Sequence, residues 1–204
     1  MKPTYKSFEA KKTGGFTALP PVGAYVAEIQ EVRFVKKEKE WERDRIECFM
    51  EITEGEYKNR FHEVYSDQSE KWGSATYRGI FRLIPPTEDE ATQEDDWRKR
   101  VFESNLWCVQ QSNPGYKWDW DEKKLKGKTV GISLRKRLYT YTKDGEDKDG
   151  ETIEIAQFET VDDVRNGKCR PMRDRDQRRK HDNADDSTDG SEFTDVSGSV
   201  SVPW

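Results

Sequence analysis

A mainly β domain, interrupted by helices and followed by a charged tail, is what this sequence predicts, on three observations. Residues 23–35, 45–53 and 128–141 alternate apolar and polar side chains with a period of two, as half-buried strands do. Residues 67–113 change to a spacing near 3.6, the period of a helix with one apolar face. From 168 onward the apolar pattern stops and blocks of like charge replace it. With 32% hydrophobic and 38% charged residues in 204, the chain supports one domain with a modest core.

Residues 1–19 read as a loose basic arm, and 20–167 as the domain. In 23–35 (GAYVAEIQEVRFV), Tyr25, Ala27 and Ile29 share one parity while Val32 and Phe34 share the other. That one-residue phase shift is the mark of a β-bulge, which bends a strand as small barrels require. Residues 36–44 form a charged loop carrying Trp41. The second strand, 45–53, puts Ile46, Cys48, Met50 and Ile52 on one face, and after a turn at 55–60 residues 61–65 read as a short third strand. Helical spacing at Trp72, Thr76, Ile80 and Leu83 follows, closed by Pro85-Pro86. Thr87, with Glu88 and Glu90, opens the next helix. Its stripe of Trp97, Val101, Leu106 and Val109 reads as core packing, and Asn113-Pro114-Gly115 ends it. The fourth strand, 128–141, turns Val130, Ile132, Leu134 and Leu138 inward; 144–150 is a turn, 152–158 the fifth strand, and 160–166 a single helical turn. Five strands with a helical insertion at about 67–113, between strands 3 and 4, match the five-stranded barrel of the OB-fold.

Charge divides what remains. The chain holds 36 Lys+Arg and 41 Asp+Glu, a net charge of −5. Residues 181–204 carry six of the acids and no Lys or Arg, so the acidity belongs to this tail. Such a polar stretch buries too little apolar surface to offset its ordering entropy, and disorder is expected. It closes on Val202-Pro203-Trp204, which reads either as a short peptide ligand on a flexible tether or as the end of a solubilising tail. The preceding linker, 168–180 (KCRPMRDRDQRRK), has seven bases and two acids; it reads either as a site for a polyanion or the tail itself, or as a solvated charged linker.

Several function classes are disfavoured. No apolar run reaches the length of a membrane span and no signal-peptide core is evident, so a cytoplasmic protein is expected. Cys48, Cys108 and Cys169, with His62 and His181, show neither zinc spacing nor a disulfide framework. Gly127-Lys128-Thr129 resembles the end of a P-loop, but the required first glycine is Glu122 and a strand follows. The acidic turn at 144–151 resembles a calcium loop whose first and last ligand positions fall on Gly145 and Ala156. No enzyme activity, cofactor or metal is expected.

Aromatic residues interleaved with bases remain. Trp41 sits among Lys36, Lys37, Lys39, Arg43 and Arg45 in the loop joining strands 1 and 2. Arg45 and Phe49 lie opposite the core parity of the second strand; Arg135, Arg137, Tyr139 and Tyr141 do so on the fourth. In an OB-fold the loop joining strands 1 and 2, the faces of strands 2 and 3 and the loop joining strands 4 and 5 make the oligonucleotide groove. Single strands need them because phosphates require cations while unstacked bases require flat rings, each stack contributing about 1–3 kcal/mol. For each ring two readings stand: base stacking, or packing under a loop or the helical insertion. The Tyr116, Trp118 and Trp120 cluster equally suits a pinned loop or a DNA contact.

The tail resembles that of bacterial and phage single-stranded DNA-binding proteins, which end in a disordered acidic stretch and a hydrophobic-Pro-aromatic tip. Val202, Pro203 and Trp204 occupy the matching places. Two departures are the final Trp where Phe is usual, and the absence of acids at 197–201. The body is similar to phage-encoded OB-type members at 19–25 (LPPVGAY), 53–60 (TEGEYKNR) and 158–167 (FETVDDVRNG). The resemblance implies a non-catalytic, largely sequence-independent single-stranded DNA-binding protein of a phage replication, recombination or repair module. Its tip would recruit replication or recombination proteins while its tail competes with DNA for the groove. A protein-interaction adaptor with an OB-like domain is the alternative, and a carboxylate nuclease a third. A homo-oligomer is left open.

Overall fold

The computed structural model describes residues 17–93 and 96–179. The tail at 181–204, with Val202, Pro203 and Trp204, and residues 1–16 lie outside that description. The alternating stretches become four long strands: β1 (Gly23–Val35), β2 (Arg45–Ile52), β4 (Thr129–Lys143) and β5 (Glu146–Glu159). A short β3 (Ile80–Leu83) and the three-residue β6 (Arg175–Gln177) complete a six-stranded sheet. The path runs β3-β2-β1-β4-β5 with every pair antiparallel, and β6 joins β4 in parallel. The helices are α1 (Arg60–Trp72), α2 (Glu88–Thr92), α3 (Trp97–Ser112) and α4 (Val161–Arg165), so the protein is mixed α/β.

The bulge in β1 is real. Register with β2 slips between Ile29 and Glu31, leaving Gln30 as the extra residue. Before it Ala27 and Ile29 are fully buried; after it Val32 packs half-buried against the core and Val35 is half-buried too, while Glu31, Arg33 and Phe34 are exposed, Phe34 contrary to the parity it shares with Val32. Ile46, Cys48, Met50 and Ile52 of β2 and Val130, Ile132 and Leu134 of β4 face the same core. Leu138, expected inward, is half-buried, beyond a register shift at Ser133/Leu134. The β4–β5 hairpin turns on Asp144 (φ 57) and Gly145 (φ 81), two consecutive left-handed residues that match the twist of the flanking strands. Both strands run further into this hairpin than the alternation suggested.

The sheet is not closed into a barrel. Its end strands, β3 and β5, share no ladder among the described residues and meet only through side chains, with Phe81 and Phe158 ring centroids 4.4 Å apart. β3 spends its four residues pairing with β2, and Pro85-Pro86 follows almost at once, without N–H groups to extend a ladder.

The expected third strand at 61–65 is instead the first turns of α1. Asn59 turns the chain with φ 61, and the Glu51 carboxylate accepts from the Phe61 N–H (3.1 Å) and His62 N–H (2.8 Å). A buried side chain from β2 thus satisfies helix donors that would otherwise be orphaned. Phe61 and Val64 point into the core at helical spacing. The helix expected to span 67–84 ends at Gly73, and Ile80 and Leu83 belong to β3. Gly79 lies so close to β2 that a Cβ would stand 2.4 Å from the Met50 carbonyl oxygen, a crossing open to glycine alone.

α2 begins with the expected Thr87–Glu90 capping box. α3 buries Phe102, Asn105, Leu106, Cys108 and Val109. Trp97 and Val101, read as core packing, are instead 59% and 51% exposed. The basic linker contains β6, which pairs Arg175–Gln177 with Arg137–Tyr139 on the β4 edge that β1 leaves after Leu134. Leu19 and Pro20 pack inward, ending the N-terminal arm earlier than expected.

Candidate nucleic-acid interface

The sequence-nominated residues fall into two groups. The first comprises the β1–β2 loop and the outer face of β1–β2–β3. Lys36, Lys37 and Lys39 are exposed on the loop, and Trp41 is 76% exposed with the Lys39 ammonium 5.0 Å from its ring. It therefore does not pack under its own loop. Arg43 turns back from the loop to α2, bonding the Glu90 carboxylate and the Pro85 carbonyl (3.4 Å). Arg45 lies on β2 and pairs with Glu47 at 3.0 Å.

Phe49 is the centre of this face. Its half-buried ring carries the Arg33 guanidinium at 4.5 Å on one side and stacks with Tyr77 at 6.2 Å and 29°. Tyr77 is fixed from below: its hydroxyl donates to the Met50 carbonyl (2.7 Å) and to Glu51 (3.1 Å). Burial, then the neighbouring Glu51 charge, pushes its pKa well above the tyrosine range, so it remains a neutral donor. Tyr65 of α1 meets Tyr77 edge-on at 5.9 Å. Together with Gln30, His62 and the carboxylates Glu31, Glu51 and Glu63 these residues line an open groove of about 890 Å³, in which Arg33 is paired with Glu31 at 2.7 Å.

The second group stands on the β4–β5 ribbon. Arg135 bonds Glu154 across the ladder at 2.8 Å. Arg137 lies 3.7 Å from the same carboxylate, its Cζ 5.5 Å from the Tyr139 ring centroid, and its Nε has no hydrogen-bond partner. Tyr139 and Tyr141 are neighbouring rings 6.1 Å apart, the latter 41% exposed. From β6, Arg175 adds a third guanidinium to Glu154 at 3.6 Å.

Arginine outnumbers carboxylate in these clusters. Glu47 is shared by Arg45 and Arg82, Glu90 by Arg43 and Arg98, and Glu154 by Arg135, Arg137 and Arg175. Each carboxylate orders its arginines while leaving cationic charge over, which suits a polyanion that supplies the missing oxygens. The effect on the acids is visible. Burial alone would raise Glu47, yet Arg45 and Arg82 hold it below the usual carboxylate range. The Arg43 hydrogen bond, with the Thr87 N–H behind it, holds Glu90 down at about 2.

Arg33, Tyr65, Tyr77 and Arg82 belong to this surface and were not nominated from the sequence. The phase shift in β1 held the signal for Arg33, since moving Val32 inward moves Arg33 outward. Tyr77 and Arg82 lie in the stretch whose spacing looked helical. Of the ambiguous cluster, Trp118 packs against the core, whereas Trp120 is 65% exposed and stacks on Phe102 at 5.9 Å and 21°.

Among the described residues no group of three or more His, Cys, Asp or Glu is placed to hold a metal ion, and no helix is long and apolar enough to cross a membrane. Neither protein-family models nor curated proteins yield a match to the sequence.

Proposed function

We propose that this protein binds single-stranded DNA without catalysis and with little sequence preference, on the outer face of an OB-type sheet. The observation that carries this reading is Phe49: a ring held on the solvent side of a strand, with a guanidinium on one face and a core-anchored tyrosine beside it. A ring so placed offers a base a flat surface whose orientation is already fixed, and cations around it meet the phosphates. The exposed Trp41 on a lysine-bearing loop extends the same chemistry. A sheet with β1 between β2 and β4, its ends meeting through Phe81 and Phe158, supports a partly open five-stranded OB-type architecture with β6 added at one edge. In this reading the acidic tail competes with DNA for the basic surface, and the Val202-Pro203-Trp204 tip recruits replication or recombination proteins.

The test is titration with oligo(dT). Binding should quench tryptophan fluorescence and weaken with salt, each phosphate contact adding roughly −0.7 to the slope of log K against log[salt]. Absence of both quenching and a mobility shift at low salt overturns the reading.

A further inference from the structure

Of the three large apolar side chains that α3 leaves in solvent, Trp107 stands apart, while Trp97 and Val101 gather at the start of the helix. Trp97 and Val101, at the start of α3, face Ile84 at the end of β3, and Phe81, Leu83 and Phe102 floor the slot between them. Ile84 is 43% exposed, so three apolar side chains of one slot are left open among the described residues. The slot holds about 160 Å³, close to the roughly 150 Å³ cavity known to accept one benzene ring. Its rim is cationic: Arg43, Arg82 and Arg98 border it, and Arg98 lies 4.9 Å from the Trp97 ring centroid. Glu90 serves two of these arginines, and Glu47 serves the third together with Arg45, so among the described residues arginine outnumbers carboxylate at the rim.

The slot adjoins the Phe49 face. Phe49 pairs with Ile80 across β2–β3, and three residues further along β3 lies Leu83, in the slot floor. That step is about 10 Å along the strand, and since Leu83 faces the side opposite Arg82, a bound strand reaches the slot by crossing the β3 edge. Arg82 stands between, on the outer face beside Glu47 while bordering the slot, and Arg43 ties the slot to the Trp41 loop.

We infer that this slot is a separate nucleotide subsite: it takes one base against Trp97, while Arg43, Arg82 and Arg98 hold the flanking phosphates. The inference rests on the single-stranded DNA reading above and extends the path of the strand from the sheet face over the end of β3 onto α3. An apolar contact alone would not require three arginines, and a phosphate site alone would not require an exposed indole. A base between two phosphates requires both.

Photocrosslinking on the full chain decides it, using a dT oligonucleotide with 5-iododeoxyuridine at each position in turn and mass spectrometry to identify the attached residue. Crosslinks should fall on Trp97 as well as on Trp41 or Phe49. Trp97→Ala should weaken a long oligonucleotide by about tenfold, the loss of one stacked base, and Trp97→Phe should restore most of it. Because Trp97 is largely exposed, the variant leaves the core intact. Crosslinks confined to Trp41 and Phe49, with Trp97→Ala binding as tightly as the parent, overturn the subsite and leave the DNA reading standing. Absence of any binding overturns both. Protection of Trp97 by a peptide ending Val-Pro-Trp but not by DNA also overturns the subsite, and assigns the slot to the chain's own tip.

Discussion

The β1–β2–β3 face and the β4–β5 ribbon carry the same ingredients, arginines, a shared glutamate and paired aromatic rings, but on different foundations. On the face, Phe49 stands on a strand with partners on both edges, and its neighbour Tyr77 is bonded to the β2 backbone and to Glu51. On the ribbon, Tyr139 and Tyr141 project from a hairpin that beyond Leu134 has lost β1, with only three residues of β6 against it. Two-stranded ribbons are marginal by themselves, whereas a strand inside a sheet is held by its neighbours. Equal composition therefore does not mean equal support: the face rests on strands paired on both edges and on a tyrosine bonded to the core, whereas the ribbon rings rest on two strands and the short β6. Charge follows the opposite trend, with three arginines on Glu154 against two on Glu47.

The largest effect should come from removing the foundation of the face. Glu51 accepts from the Ile52, Phe61 and His62 N–H groups and the Tyr77 hydroxyl, so Glu51→Ala should cost about 3 kcal/mol in urea unfolding. A midpoint that does not move would mean Tyr77 is not held from below. Phe49→Ala comes next, with a loss of about 1–3 kcal/mol in oligo(dT) affinity and little change in stability. Tyr139→Ala on the ribbon should lose about 1 kcal/mol, at the lower end of the same range, measured by the same titration. Should Tyr139→Ala match or exceed Phe49→Ala, the ranking of the two regions is reversed. The smallest effect concerns the tie between loop and α2. Glu90 has a folded pKa lowered to about 2, so its contribution is present above the ordinary carboxylate value of 4.5 and fades as pH falls towards 2. Parent and Glu90→Gln should thus differ slightly in thermal midpoint at pH 7 and converge at the acid end. A constant gap across that range would show that Arg43 is held by something other than the charge.

Deleting residues 181–204 would test the tail against both regions. If it competes with DNA, its removal should raise oligo(dT) affinity at low salt, with the gain vanishing at high salt as screening removes the competition. An unchanged affinity at low salt would separate the tail from either surface.

How legible the molecule was in its sequence depended on where each element's partners lie. β1 with its bulge, β2, the Thr87–Glu90 capping box, the end of α3 at Asn113 and the β4–β5 hairpin are written in local alternation, caps and turn residues. Trp41, Phe49 and the β4 arginines were visible for the same reason, since strand parity and a charged loop put them outward. Residues 61–83 were not. FHEVY alternates well enough for a strand, but a carboxylate ten residues back in β2 caps it as a helix. IFRL has helical spacing with Trp72, but Gly79 lets it cross Met50 closely enough to pair as β3.

The sequence by itself determined β1, β2, β4 and β5, the bulge, the hairpin and the separation of acidic tail from basic linker, because each follows from neighbours along the chain. Tertiary structure alone decided that 61–65 coils, that the sheet stays open between β3 and β5, and that Trp97 and Val101 stay in solvent while Phe102 and Leu106 do not. A helical stripe states that a face is apolar. Only the elements beneath it state how much of that face is covered: α3 lies on β4 and β5, with Asn105 bonded to Phe158, and the four-residue β3 leaves the start of the helix open.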